Sequence, residues 1–196
     1  ETRRLMRQLP WNGANHTCLD YPRLLALGYD GIRDQVRAAA AAHPERAVFY
    51  DAMLISLDAA SRYIADCGAA VRRAANAQPD AERAAELRGM AAVCDKVACG
   101  RPDSFVEAMQ LLWLTHLIAN LDGGSAMSLG RFDQYMRPFF ERDRASGALT
   151  LERARELIAA LWLKLNEPKM RTVQSCCLAG VKRGGEDGAS PLTRLC

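Results

Sequence analysis

The sequence predicts a mostly helical chain with few strands. Apolar residues recur every three or four positions through the long stretch 45–77, as Val48, Ala52, Ile55, Ala59, Tyr63 and Ala70, which is the period of a helix. Helix punctuation recurs along the chain, with Pro in first turns, Ser, Thr or Asp before apolar runs, and Gly or Pro after them. Only Thr172 to Val181 is β-branched and apolar enough to read as a strand, with a shorter candidate from Ser125 to Leu129.

The elements follow in order. A loop occupies Pro10 to Tyr21. Pro22 starts a short helix that stops near Gly28, and Asp30 caps a second that runs to His43. Pro44 sits in the first turn of a long helix from about Glu45 to Ala77. After Pro79 comes a helix with Ala84, Leu87, Ala91 and Cys94, broken at Gly100 and Pro102. Asp103 or Ser104 caps the next helix, with Glu107 in its first turn. That helix is the most apolar in the chain and is expected deep in the core. Gly130 to Arg144 holds an amphipathic helix. Thr150 caps Leu151 to Asn166, and Pro168 ends it. Gly180, Gly184, Gly185 and Gly188 make a turn-rich stretch, and Pro191 to Cys196 reads as the start of another element.

Composition narrows the function classes. The chain has 196 residues, 49% hydrophobic and 25% charged, with a net charge of +3. That is enough for one domain with a real core. No basic stripe interleaved with aromatics exists, which speaks against nucleic acid. No apolar run reaches membrane-spanning length; the longest, Ala108 to Asn120, is broken by Gln110, Thr115 and His116. Seven cysteines fall at irregular spacings without a CxxC pair. Zinc and a disulfide framework are therefore both disfavoured, no metal is expected, and reduced cytoplasmic thiols are the simplest reading.

The most informative stretch is Ser128-Leu129-Gly130-Arg131-Phe132-Asp133-Gln134-Tyr135 and on to Phe140. Gly130 permits a tight turn or close backbone approach. Arg131 and Asp133 carry opposite charges that are held in fixed geometry only if paired or hydrogen-bonded, which suggests a strand-to-helix corner beside a buried polar site. The run resembles a signature of the glycyl radical enzymes, the pyruvate formate-lyase-like superfamily. Three further stretches match in the same order. They are Asn15-His16-Thr17 with Asp20-Tyr21 and Leu27 to Ile32; Asp103 to Gln110 leading to Trp113; and Glu156-Leu157 through Trp162, Lys164, Asn166 and Glu167.

The resemblance implies a partial domain over residues 1–196. It would belong to a ten-stranded α/β barrel wrapped by helices, with only the first barrel strands present. The family's thiyl cysteine and glycyl-radical glycine lie downstream of everything matched, and no Gly-Cys-x-Glu or Arg-Val-x-Gly motif occurs here. The chain is therefore expected to be an N-terminal or middle piece of a longer enzyme, inactive alone. No catalytic residue is expected within it. Adjacent Cys176 and Cys177 precede the glycine-rich segment, whereas the family's catalytic cysteine follows it. They read instead as strand residues facing opposite ways.

The resemblance also suggests a pocket. His16 matches a position that faces substrate hydroxyls in family dehydratases; the alternative is a loop histidine bonded to backbone. Gln8 matches a pocket-facing position and otherwise reads as a polar helix residue. Ser125 falls where a second strand meets substrate, or is simply a turn residue after Gly123-Gly124. Arg131 and Asp133 act structurally on this reading, and His116 reads as a satisfied core histidine. The implied activity is C–O or C–C cleavage of a small hydroxylated substrate by thiyl-radical hydrogen abstraction. The implied enzyme binds no cofactor; a separate iron–sulfur activase using S-adenosylmethionine installs the radical. The intact enzyme would be a cytoplasmic homodimer. The alternatives are a formate acetyltransferase, which carries Arg where His16 stands, and a helical interaction protein without chemistry.

Overall fold

The computed structural model describes residues 17–121, 126–167, 174–182 and 184–196. Helix α1 (Tyr21–Ala42) starts where the Asp20 carboxylate accepts from the Arg23 amide, 3.2 Å. It bends sharply at Gly28, whose φ of 64° and ψ of −179° lie in a region open essentially to glycine alone. A Cβ there would stand 2.4 Å from the Gly100 carbonyl carbon. The break frees the Asp30 amide, which donates to Cys99 O at 2.9 Å. The predicted stop at Gly28 is thus a kink. Asp30 does not cap the second half; its carboxylate pairs with Arg33.

A 3-10 turn (Pro44–Arg46) leads into α2 (Ala47–Ala77), which forms a hairpin with α3 (Ala81–Val97). The length of α2 is as predicted, but its buried face is not. Val48 is 85% exposed and Ile55 69% exposed, while the buried stripe is Ala60, Ser61, Ile64, Gly68 and Ala75. The face toward the core carries small and polar residues because two things meet it there. Gly68 lets α3 approach closely, a Cβ at that position falling 3.1 Å from Cys94 Cβ. Ser61 bonds the Ala98 carbonyl and the buried Arg33 guanidinium. Hydrophobicity counts miss a stripe of that kind.

Helix α4 (Phe105–Leu121) is central: Phe105, Leu111 and Leu112 are wholly buried. Ser104 caps it by accepting from the Glu107 amide at 3.2 Å, and Glu107 accepts in return from the Asp103 amide at 2.6 Å. The Phe105 amide is given to Asp143 of α5 (Phe132–Ala145), 2.6 Å. Helix α6 (Leu151–Leu165) is capped by Thr150, and α7 (Pro191–Leu195) by a Ser190–Thr193 capping box.

The described residues hold no strand. The described parts of the two expected strands, 174–181 and 126–129, hold only single bridges, Cys18 with Ser128 and Gly130 with Cys176, both parallel, and Val181 with Asp187, antiparallel. Backbone geometry explains the reduction. Ala126, Gly130, Ala179 and Gly180 all have positive φ, from 55° to 78°, so each extended run is interrupted after a few residues.

Candidate functional site

Three chain segments far apart in sequence meet in parallel. The Ser128 amide donates to Thr17 O at 2.7 Å, the Leu129 amide to Ser175 O at 3.0 Å, and the Cys177 amide to Gly130 O at 2.8 Å. Segment 127–130 is the middle one. Gly130 allows the close fit: its φ is 65°, and a Cβ would lie 2.7 Å from Cys18 Sγ. The first segment feeds α1 and the middle one feeds α5.

The signature residues hold the third segment, by hydrogen bonds and not by an ion pair. Arg131 and Asp133 do not pair with each other. Arg131 donates to Ala179 O (2.8 Å) and Val181 O (3.0 Å). Asp133, fully buried, accepts on Oδ2 from the Ala179 amide (2.8 Å) and the Thr193 hydroxyl (2.5 Å). Gln134 donates to Gly188 O at 2.8 Å. The chain at Ala179 is therefore gripped at both its amide and its carbonyl. That double grip holds an alanine at φ 57°, a conformation that costs it about 1–2 kcal/mol. Asp133 Oδ1 has no partner. The corner is fixed as expected, through backbone capture instead of an ion pair.

A buried polar chain runs beneath the three segments. His116 of α4 is fully buried. Its Nδ1 lies 2.7 Å from Tyr21 Oη and its Nε2 2.5 Å from Gln174 Oε1. Gln174 Nε2 donates to Leu165 O at 3.1 Å, which orients the amide so that Oε1 faces the histidine. Tyr21 stacks on Tyr135, ring centroids 5.7 Å apart, and Tyr135 donates to Leu129 O at 2.9 Å. Burial holds His116 below its ordinary pKa of 6.5, so the ring is neutral, and burial pushes Tyr21 and Tyr135 well up. The reading of His116 as a satisfied core histidine stands. The roles of Tyr21, Tyr135 and Gln174 were missed. Gln174 was the available signal, as an amide within the run read as a strand.

His16, Gln8 and Ser125, the substrate-facing candidates, lie outside the described residues. Their described neighbours Thr17 and Ala126 sit at the same end of the paired first and middle segments. Cys176 is half-buried, its thiol pushed up to about 11 chiefly by burial, and Cys177 is exposed. The two side chains alternate as expected. An open cleft of ≈ 290 Å³ beside them is lined by Leu129, Trp162, Leu165, Asn166, Gln174 and Cys176. Among the described residues, no group of three or more His, Cys, Asp or Glu could hold a metal ion, and no helix is long and apolar enough to cross a membrane.

The signature and the order of the matched stretches agree with a direct comparison. The profile described as pyruvate formate lyase-like matches residues 2–196. The chain belongs to that family. It is 36% identical to the (2S)-3-sulfopropanediol dehydratase of Klebsiella oxytoca over 93% of this chain and 25% of the relative. Among solved structures it resembles the glycerol-bound B12-independent glycerol dehydratase of Clostridium butyricum, with TM-score 0.86, 30% identity, and coverage of 94% of this chain and 26% of that one. It also resembles a structure describing 1,2-propanediol dehydration in Roseburia inulinivorans, with TM-score 0.88, 30% identity, and coverage of 93% and 26%. The chain spans about a quarter of the length of these relatives.

Proposed function

We propose that this chain is part of a glycyl radical dehydratase acting on a small vicinal diol. The carrying observation is the family match across 2–196, joined to relatives whose named substrates are sulfopropanediol, glycerol and 1,2-propanediol. Each bears hydroxyls on adjacent carbons. The three parallel segments then start the barrel wall, and the helices wrap it. His16 and Ser125 stand one and three residues upstream of the bonded Thr17–Ser128 pair, and we assign them, with Gln8, to hydrogen bonds with the diol.

In this reading the rest of the enzyme supplies the cysteine and the glycine, since this chain has neither motif. A separate S-adenosylmethionine iron–sulfur activase generates the glycyl radical, which passes to the cysteine. The thiyl sulfur takes a hydrogen atom from the carbon bearing one hydroxyl, forming S–H and a carbon radical. The neighbouring C–O bond breaks and its oxygen leaves as water, taking up one proton while the hydroxyl on the radical carbon gives one up and becomes the carbonyl. The product radical recovers hydrogen from the thiol and restores the thiyl. This chain's part is to bind the hydroxyls and keep water out, because radical intermediates are easily quenched.

The test is anaerobic turnover by the activated full-length enzyme on glycerol, 1,2-propanediol and 3-sulfopropanediol, read as aldehyde formed. Conversion of at least one diol is expected, and Cys177→Ser should leave it intact. An activated enzyme that converts none of them, or one that Cys177→Ser silences, contradicts the assignment.

A further inference from the structure

The Tyr21–His116–Gln174 chain does more than satisfy a core histidine. Its ends reach the two outer segments. Tyr21 follows the Cys18 bridge by three residues, and Gln174 precedes the Cys176 bridge by two. Through the stacked Tyr135 it also reaches the middle segment at Leu129 O. All three wall segments thus hang on one ring of α4, the most buried helix.

The bonds fix the tautomer of the neutral ring. Gln174 Oε1 can only accept, so Nε2 carries the hydrogen, and Nδ1 must then be the bare acceptor of the Tyr21 hydroxyl. A second proton, on Nδ1, would force the Tyr21 hydroxyl to turn and accept, and would place a positive charge among buried, uncharged neighbours. Among the described residues, the groups facing the ring are uncharged: Tyr21 from α1, Tyr135 from α5 behind it, and the Gln174 amide. No charged group contributes to the histidine's shift.

We infer that His116 is a positioning residue for the substrate pocket, acting as a neutral, Nε2-protonated link that sets the spacing of the three wall segments. This rests on the reading of the chain as part of a dehydratase. It assigns His116 no contact with substrate. Holding the segments in register matters because small misplacements of groups that orient a substrate depress the chemical step steeply. It also makes the pocket acid-sensitive. With the folded pKa depressed, the neutral link persists at and above the ordinary 6.5 and fails only as pH falls through the lower folded value.

The test uses the activated full-length enzyme and two substitutions. His116→Gln keeps an acceptor for Tyr21 and a donor for Gln174, placed about as far apart as the ring nitrogens, but cannot titrate. His116→Leu keeps bulk and removes both bonds. His43→Gln, at an exposed histidine, is the control. We expect His116→Leu to lower kcat at least about tenfold at neutral pH. His116→Gln should retain most of kcat and lose the acid limb that wild type and the control share. Melting temperature is recorded alongside. If His116→Leu does not fold, the His116→Gln pH profile alone decides. An unchanged acid limb in His116→Gln, or equal losses of kcat for both variants in step with melting temperature, overturns the inference. Failure of the dehydratase reading is separable, because wild type and the His43→Gln control would then also be inactive.

Discussion

Asp133→Ala should destabilise the protein by roughly 2–4 kcal/mol, because it leaves the buried Ala179 amide and the Thr193 hydroxyl without their acceptor. The carboxylate is fully buried and joins three parts of the chain: its own helix, the Ala179 turn and the Thr193 hydroxyl of α7. Removing it orphans the Ala179 amide and releases an alanine whose left-handed conformation depends on being held. Asp133→Asn is the informative companion. Its amide oxygen can replace Oδ2 for both donors, while its NH2 takes the place of the oxygen that already lacks a partner. It should therefore cost less than Asp133→Ala. Chemical denaturation of both variants measures the order, and equal losses would show that the charge, not the geometry of capture, is what matters.

Gly28→Ala should cost roughly 2–4 kcal/mol, adding strain at a glycine-only backbone angle to a clash with rigid backbone. The added methyl would meet the Gly100 carbonyl carbon at 2.4 Å and the Arg101 nitrogen at 2.5 Å. Neither is the free end of a side chain, so α1 must shift away from the 99–101 turn. That shift would pull on the Asp30–Cys99 bond and on Tyr29, whose hydroxyl meets Thr115 at 3.0 Å. Thermal melting checks it; an unchanged melting temperature would mean that the kink is not required.

Much of this fold was legible because helices announce themselves locally. Pro44, Ser104, Thr150 and the apolar run of α4 each mark a boundary or a burial that neighbouring residues decide. The buried face of α2 was not legible, because Ser61 and Gly68 face the core for reasons lying on α1 and α3. The strands were overread for a related cause. Exposure does alternate over 174–177, yet Ala179 turns left-handed where Arg131 and Asp133, far away in sequence, seize its carbonyl and amide. The same distance hid the Tyr21–His116–Gln174 chain. His116 could be placed in the core from its helix face, but its partners stand 95 and 58 residues away. The family signature was legible as a corner, and its resemblance to glycyl radical enzymes gave the function class. The candidate pocket residues His16, Ser125 and Gln8 came from that resemblance alone.

The most direct measurement is the electron paramagnetic resonance spectrum after anaerobic activation with S-adenosylmethionine and the cognate activase. The full-length protein should give a glycyl doublet, and the chain of residues 1–196 should give none. A silent full-length protein, under conditions in which the activase labels a known family member, would contradict the account, and so would a doublet from residues 1–196 alone.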